Sequence, residues 1–209
     1  MLSTPAAKSA ITERSERRPF ILGIGGTPRE RSSTELALRV SLAAAAANGA
    51  GTMLLGGRDL LLPLYQPGPE HQTPQSRRLV DALRRCDGLV IASPSYHGAM
   101  SGLIKNALDY TEEVRGAGRT YLDGIAVGLI ACAGGSQGAG QTLAALRGVA
   151  HALRGWPTPF GAAICTTPML FDADGACLDL KTAAQLELVG RQVLSFARMN
   201  MAAGDAAGR

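Results

Sequence analysis

Residues 88–110, GLVIASPSYHGAMSGLIKNALDY, limit the possible folds more than any other stretch of the chain. Leu89, Val90, Ile91 and Ala92 form an unbroken apolar run, the pattern of a strand covered on both faces rather than one. The run stops at Ser93-Pro94, and a short polar loop of Ser95, Tyr96, His97 and Gly98 follows. Leu103, Ile104, Ala107 and Leu108 then recur three and four residues apart, which places them on one face of a helix. A strand buried on both sides and followed directly by a helix is the unit of a doubly wound parallel sheet. Such sheets hold ligands in loops at the carboxyl ends of their strands. The loop from Pro94 to Gly98 is therefore the first candidate site.

The same succession recurs along the chain. Strands are expected at 20–24, 52–55, 89–92, 125–131 and 161–165, with helices at 35–47, 75–85, 142–154 and 180–199 and another ending near Glu113. In the last helix Leu186, Val189, Val193 and Phe196 make an inner stripe; in 75–85 the inner residues are Leu79 and Leu83. These steps predict an α/β fold with a five-stranded parallel sheet and helices on both faces. With 209 residues the chain suits one domain, placed at 20–200. Residues 1–19 are polar and end at Pro19, so they read as a loose extension, and 201–209 as a short tail. Segment 58–74 carries Pro63, Pro67, Pro69 and Pro74 and cannot be helical throughout. Its Tyr65 either lines a groove or simply packs.

Two further loops follow predicted strands. The first runs Gly25-Gly26-Thr27-Pro28-Arg29-Glu30-Arg31-Ser32-Ser33-Thr34 into a helix, and one of Ser32, Ser33 and Thr34 is its N-cap. It is either a turn with a cap or a phosphate cradle built from helix-start N–H groups, the hydroxyls of Thr27, Ser32 and Thr34 and the charge of Arg29. A dinucleotide fingerprint is excluded, because Pro28 stands where the third glycine belongs and no acid lies about twenty positions on. A GxxxxGK[ST] loop is also absent, and the chain has only Lys8, Lys105 and Lys181. A phosphate bound here would belong to a mononucleotide. The other loop, Gly134-Gly135-Ser136-Gln137-Gly138-Ala139-Gly140, offers main chain without obstructing side chains, as the edge of a flat ligand needs.

Several chemistries are excluded or disfavoured. Gly134-x-Ser136-x-Gly138 has the written form of a nucleophile elbow, but no histidine follows Asp172, Asp174 or Asp179 to complete a triad. His71, His97 and His151 have no metal-ligand spacing. His97 either bonds a ligand or steadies its turn. Lys105 and Asp109 read as a surface pair, and Asn106 as an ordinary polar-face residue. Cys86, Cys132, Cys165 and Cys177 form no CxxC and read as free thiols. A net charge of +4 without a dense basic stripe argues against nucleic acid. Neither a membrane span nor a secretory leader is visible, so a cytoplasmic location is expected. Three loops without an evident nucleophile and base suit a cofactor that carries its own chemistry, and a phosphorylated flavin is one that fits.

The chain resembles the NAD(P)H-dependent FMN reductase family of flavin, quinone, azo-dye and chromate reductases. The likeness rests on Ser93-Pro94-Ser95-Tyr96-His97-Gly98 and on Gly102-x-x-Lys105-Asn106-Ala107-Leu108-Asp109. Ser95 and His97 replace that family's usual Glu and Asn, and Ser101 its proline. Thr27, Arg29, Ser32 and Thr34 fall where the family has serine, arginine, serine and asparagine. The resemblance implies a flavodoxin-like sheet of order 2-1-3-4-5. It also implies FMN held at Thr27, Arg29, Ser32, Ser33 and Thr34, at Pro94, Ser95, Tyr96, His97 and Gly98, and at Gly134, Gly135, Ser136 and Gln137. NADPH or NADH would be the reductant, a quinone or free flavin the acceptor, and a homodimer or homotetramer the assembly. The lysine-asparagine helix and the loop near Tyr65 would then lie at a subunit contact. Two other functions share these residues: an FMN-dependent dehydrogenase of a specialised metabolite, and a nonenzymatic electron-transfer module.

Overall fold

The computed structural model describes residues 17–116, 118–166 and 169–207. Residues 1–16 of the predicted extension lie outside the described residues. Strand β1 (Phe20–Gly25) opens where Asp87 accepts the Phe20 N–H at 2.7 Å and pairs with Arg17 at 2.6 Å. Helix α1 (Ser33–Ala47), β2 (Gly51–Gly56), α2 (Pro74–Arg85) and β3 (Gly88–Tyr96) follow. Next come β4 (Ala99–Met100), α3 (Gly102–Asp109), β5 (Ala126–Ala133) and α4 (Ser136–Ala152). The chain ends with β6 (Trp156–Pro157), β7 (Ala162–Cys165) and α5 (Leu180–Ala207).

The sheet runs β2-β1-β3-β5 in parallel, and β6 and β7 both pair with β5 on its free side. The expected order 2-1-3-4-5 is present, but there are seven strands rather than five. One addition is β4, which folds back antiparallel on the end of β3. The other arises because the fifth position is shared: Trp156–Pro157 covers the start of β5, Ala162–Cys165 covers its end, and Pro159 and Gly161 lie in the unpaired stretch between them.

Alternate strand residues feed two cores, as the two-residue period of a strand requires. Leu22, Ile24, Leu89, Ile91, Val127 and Leu129 face one way and pack with Leu79 and Leu83 of α2, Ile104 and Leu108 of α3 and Leu146 of α4. Ile21, Val90, Ala92, Ala126 and Ile130 face the other way, against Leu38 and Leu42 of α1 and Leu186, Val189 and Val193 of α5. Small residues set the spacing of this second layer. A Cβ on Gly128 would lie 2.6 Å from Val189, and one on Gly190 would collide with the Ser41 carbonyl oxygen. The Ser41 hydroxyl donates to Leu186 O at the same crossing.

Three boundaries differ from the sequence reading. Strand β3 continues through Ser93-Pro94 to Tyr96, because β4 supplies its end with hydrogen-bond partners. Helix α4 starts at Ser136 rather than 142, so most of the expected glycine loop is its first turns. Helix α5 runs through the expected tail to Ala207, because MAAGDAA contains alanines that favour helix and no proline.

Candidate functional site

The carboxyl ends of β1, β3 and β5 bring the three sequence-defined loops to one edge of the sheet. Two helix N-termini flank that edge. At α1, the Ser32 hydroxyl caps the helix by accepting Glu35 N–H at 3.3 Å, and Leu36 N donates to Ser32 O at 2.9 Å. The N–H groups of Ser33 and Thr34 stay without intrahelical acceptors, as the first turn of any helix leaves them, and are available to an anion. At α4, Gly135 is the extended cap residue and Ala139 N donates to Gly135 O at 3.2 Å. Ser136, Gln137 and Gly138 therefore have free first-turn N–H groups.

The α1 loop turns at Gly26, whose φ is 105°. The Thr27 hydroxyl accepts Arg29 N–H at 3.3 Å and donates to Arg29 O at 3.4 Å, closing the turn. Arg29 and Ser33 line a pocket of about 400 Å³ together with Arg31, Phe171 and Asp172. Among the described residues the Arg29 guanidinium has no ion-pair partner, whereas Glu30 pairs with Arg58 at 3.5 Å. Asp172 Oδ1 accepts N–H groups from Asp174 and Ala176, which partly satisfies its charge within its own turn. Arg31, for which the sequence alone suggests no role, sits at φ 54° and donates to Ala173 O. It ties the phosphate-type loop to the 171–177 turn. Ser32 and Thr34 are buried, and the Ser32 hydroxyl caps α1.

At β3 the short polar loop is a hairpin. Ser95 pairs with Met100 and Tyr96 with Ala99, leaving His97 and Gly98 as a two-residue turn with φ values of 53° and 82°. Positive φ at both positions is the turn geometry that matches the twist of a hairpin. Tyr96 and His97 are exposed, and Pro94 is buried. The base of the hairpin is fixed by Ser93, whose hydroxyl accepts Ser101 N–H at 3.0 Å and donates to Pro94 O at 2.8 Å. Ser101, which stands where the resembled family has proline, caps α3 by accepting Ile104 N–H at 3.3 Å.

Beside the hairpin, Gly134, Gly135, Ser136 and Gln137 are exposed, and a Cβ on Gly134 or Gly135 would meet nothing within 4 Å. The mouth is open to a flat group, with main-chain donors along its α4 side. Sequence reasoning missed Gln141 and Thr142, which lie one turn into α4 next to the hairpin: Gln141 Oε1 is 2.9 Å from where a Gly98 Cβ would stand. It also misread Asn106. That side chain accepts Tyr65 N–H at 2.9 Å and donates to Leu62 O and Pro63 O, so it anchors the proline-rich loop to α3. Tyr65 itself packs edge-on against Tyr110 and donates to Glu113 at 3.1 Å. Lys105 and Asp109 form the expected exposed pair at 2.6 Å.

No group of three or more His, Cys, Asp or Glu suited to a metal occurs among the described residues. No helix among them is long and apolar enough to cross a membrane. The donor set fits a phosphorylated planar cofactor: arginines and first-turn N–H groups at the start of α1, and main-chain donors at the start of α4 beside the hairpin. The residues of the site are thus compatible with FMN without rearrangement of the buried hydroxyls.

Known proteins share parts of this chain. An NADPH azoreductase from Bacillus sp. strain OY1-2 is 38% identical over 79 residues, 37% of this chain and 40% of that protein, so the match spans less than half of the azoreductase. Among solved structures, the flavoenzyme NAD(P)H:(acceptor) oxidoreductase FerB from Paracoccus denitrificans has a TM-score of 0.69 at 23% identity, covering 87% of this chain and 98% of FerB. The apo form of an NADH:FMN oxidoreductase, EMOB, gives 0.63 at 21% identity, covering 87% of this chain and 89% of that one. At these identities the structures establish a shared flavodoxin-like fold. The family model of NADPH-dependent FMN reductases matches residues 19–167, which span the sheet from β1 to β7 and all three loops, and the chain belongs to that family of flavin-dependent, NAD(P)H-using oxidoreductases.

Proposed function

We propose that this chain is an NAD(P)H-dependent FMN oxidoreductase that delivers two electrons to a small acceptor such as a quinone or free flavin. The observation that supports the reading is that the loop carrying Arg29 and Ser33, the hairpin and the start of α4 all follow the carboxyl ends of the adjacent parallel strands β1, β3 and β5. In this reading Arg29 and the N–H groups of Ser33 and Thr34 hold the phosphate, with Thr27 fixing the turn and Ser32 the helix start. Pro94, Ser95, Tyr96, His97 and Gly98 set the ring against the end of β3, and main chain at Gly134, Gly135, Ser136 and Gln137 bonds its polar edge. FMN, when bound, supplies a ring whose N5 takes hydride from the nicotinamide and later returns two electrons to the acceptor. The chain's own task is orientation: the two helix starts favour negative charge at the phosphate and at the polar ring edge, and the exposed Tyr96 side of the mouth leaves room for nicotinamide and acceptor in turn.

Self-association as a homodimer or homotetramer, read by light scattering, belongs to the same proposal. The exposed Leu61 and Leu64 beside α3 are apolar surface that a second copy would cover.

Anaerobic stopped-flow with FMN present and each nicotinamide in turn tests the activity. Bleaching of the flavin by NADPH or NADH, followed by recovery on adding a quinone, is expected. Arg29→Ala should fold normally and weaken FMN binding roughly tenfold or more, the scale of one lost charge-assisted contact to a phosphate. Failure of either nicotinamide to reduce bound flavin, or unchanged FMN affinity in Arg29→Ala, would overturn the respective part of the reading.

A further inference from the structure

The hairpin that carries the Tyr96–Gly98 turn is attached to the rest of the molecule by more than its own strands. Thr142, fully buried on α4, donates its hydroxyl to Ser95 Oγ at 2.9 Å, and Ser95 in turn donates to Gly138 O at 3.1 Å. A threonine inside a helix ordinarily turns its hydroxyl back to the carbonyl four residues earlier, which here is Gly138. In this molecule that carbonyl receives the proton of Ser95 instead, and the threonine reaches outward.

Two glycines make the approach possible. A Cβ on Gly138 would stand 3.1 Å from Ser95 Oγ, and one on Gly98 would stand 2.9 Å from Gln141 Oε1. Positions 138, 141 and 142 fall on one face of α4, so a single helix face holds both the strand end and the tip of the turn. The same end of the helix also offers its first-turn N–H groups to the mouth of the site.

We propose that Ser95 and Thr142 are positioning residues: their hydroxyl relay to Gly138 clasps the β3–β4 hairpin to the first turns of α4, so that the two loops flanking the ring pocket are one preformed surface before any ligand arrives. The link to cofactor affinity rests on the FMN reading above. Neither side chain needs to touch the flavin for this. The clasp acts by removing hairpin motion that binding would otherwise have to suppress, which is how preorganisation raises affinity.

Hydrogen exchange of the cofactor-free chain, followed on the peptide spanning 95–101, tests the clasp directly, and FMN titration tests its consequence. Thr142→Val keeps the shape and removes the hydroxyl. Exchange in 95–101 should accelerate about tenfold, and the FMN dissociation constant should rise by a similar factor, the equivalent of one ordinary hydrogen bond. Thr142→Ser should restore both. Ser95→Ala, at a half-buried position that threatens folding less, should reproduce the exchange change, and Ser95→Ala/Thr142→Val should be no worse than the more affected single variant. Unchanged exchange in Thr142→Val and Ser95→Ala, loss of protection in Thr142→Ser equal to that in Thr142→Val, or additive single-variant effects would each overturn the clasp. If the wild-type chain fails to bind FMN while these exchange patterns hold, the clasp stands and only the cofactor reading falls.

Discussion

His97 occupies a left-handed backbone conformation, at φ 53° in the first position of a two-residue hairpin turn, where asparagine, aspartate and glycine are the preferred residues. Asparagine tolerates that conformation better because its short polar side chain bonds locally. His97→Asn should therefore raise stability, by roughly 0.5 kcal/mol, read as a shift in the denaturant midpoint at constant slope. At this scale sequence reasoning identifies where the turn lies, because Ser-Pro and Gly punctuate it, but not what the neighbouring side chains do. Asn106 shows why. Helical spacing assigns it to a polar face, whereas its three partners, Leu62, Pro63 and Tyr65, lie more than forty positions away in a loop whose path no local pattern encodes. Arg31 escapes for the same reason, since its acceptor is Ala173.

At the level of elements, apolar runs are reliable and glycine is misleading. Helix α4 contains Gly138, Gly140 and Gly148, each of which argues locally against helix, yet the helix begins six residues before the position that composition suggests. Tertiary contact overrides propensity there, as the Ser95 contact with Gly138 illustrates. Two glycines inside helices separate the competing effects. A methyl group added at Gly148 would meet nothing within 4 Å, so Gly148→Ala should stabilise by up to about 1 kcal/mol through helix propensity alone. Gly190 faces Ser41 across the α1–α5 crossing, and there a methyl group meets backbone that cannot rotate aside. Gly190→Ala should therefore destabilise by about 1–3 kcal/mol despite the same gain in propensity. Thermal or urea unfolding of the two variants gives opposite signs, and matching signs would show that the crossing relaxes freely.

The parallel sheet is legible because each buried strand leads into a helix, whereas its order, 2-1-3-4-5, comes from the family resemblance rather than from the pattern of elements. The folded molecule also has a collective response to alkali. Burial pushes the Cys132 thiol up to about 12, against a smaller lowering by the Thr34 hydroxyl, and burial raises Cys86 as well. Loss of hydration, then the bond to Glu113, raises Tyr65 to about 12. Unfolded thiols and phenols release their protons near 9 and 10, while the folded groups keep theirs, so the unfolded chain binds fewer protons in that range. Stability should accordingly be unaffected by these groups at neutral pH and fall as pH rises from about 9 to about 12. Urea titrations across that range measure the slope, and Tyr65→Phe should make it shallower.

The split fifth position has a further consequence at this scale. An unbroken outer ribbon would present a row of unsatisfied amides and carbonyls to any passing extended chain, the usual seed of sheet-to-sheet aggregation. Here Pro157 and Pro159 remove two of those donors, and Pro159 lies in the gap between the two short segments. That margin makes a poor template for further growth, so the sheet ends where the molecule does.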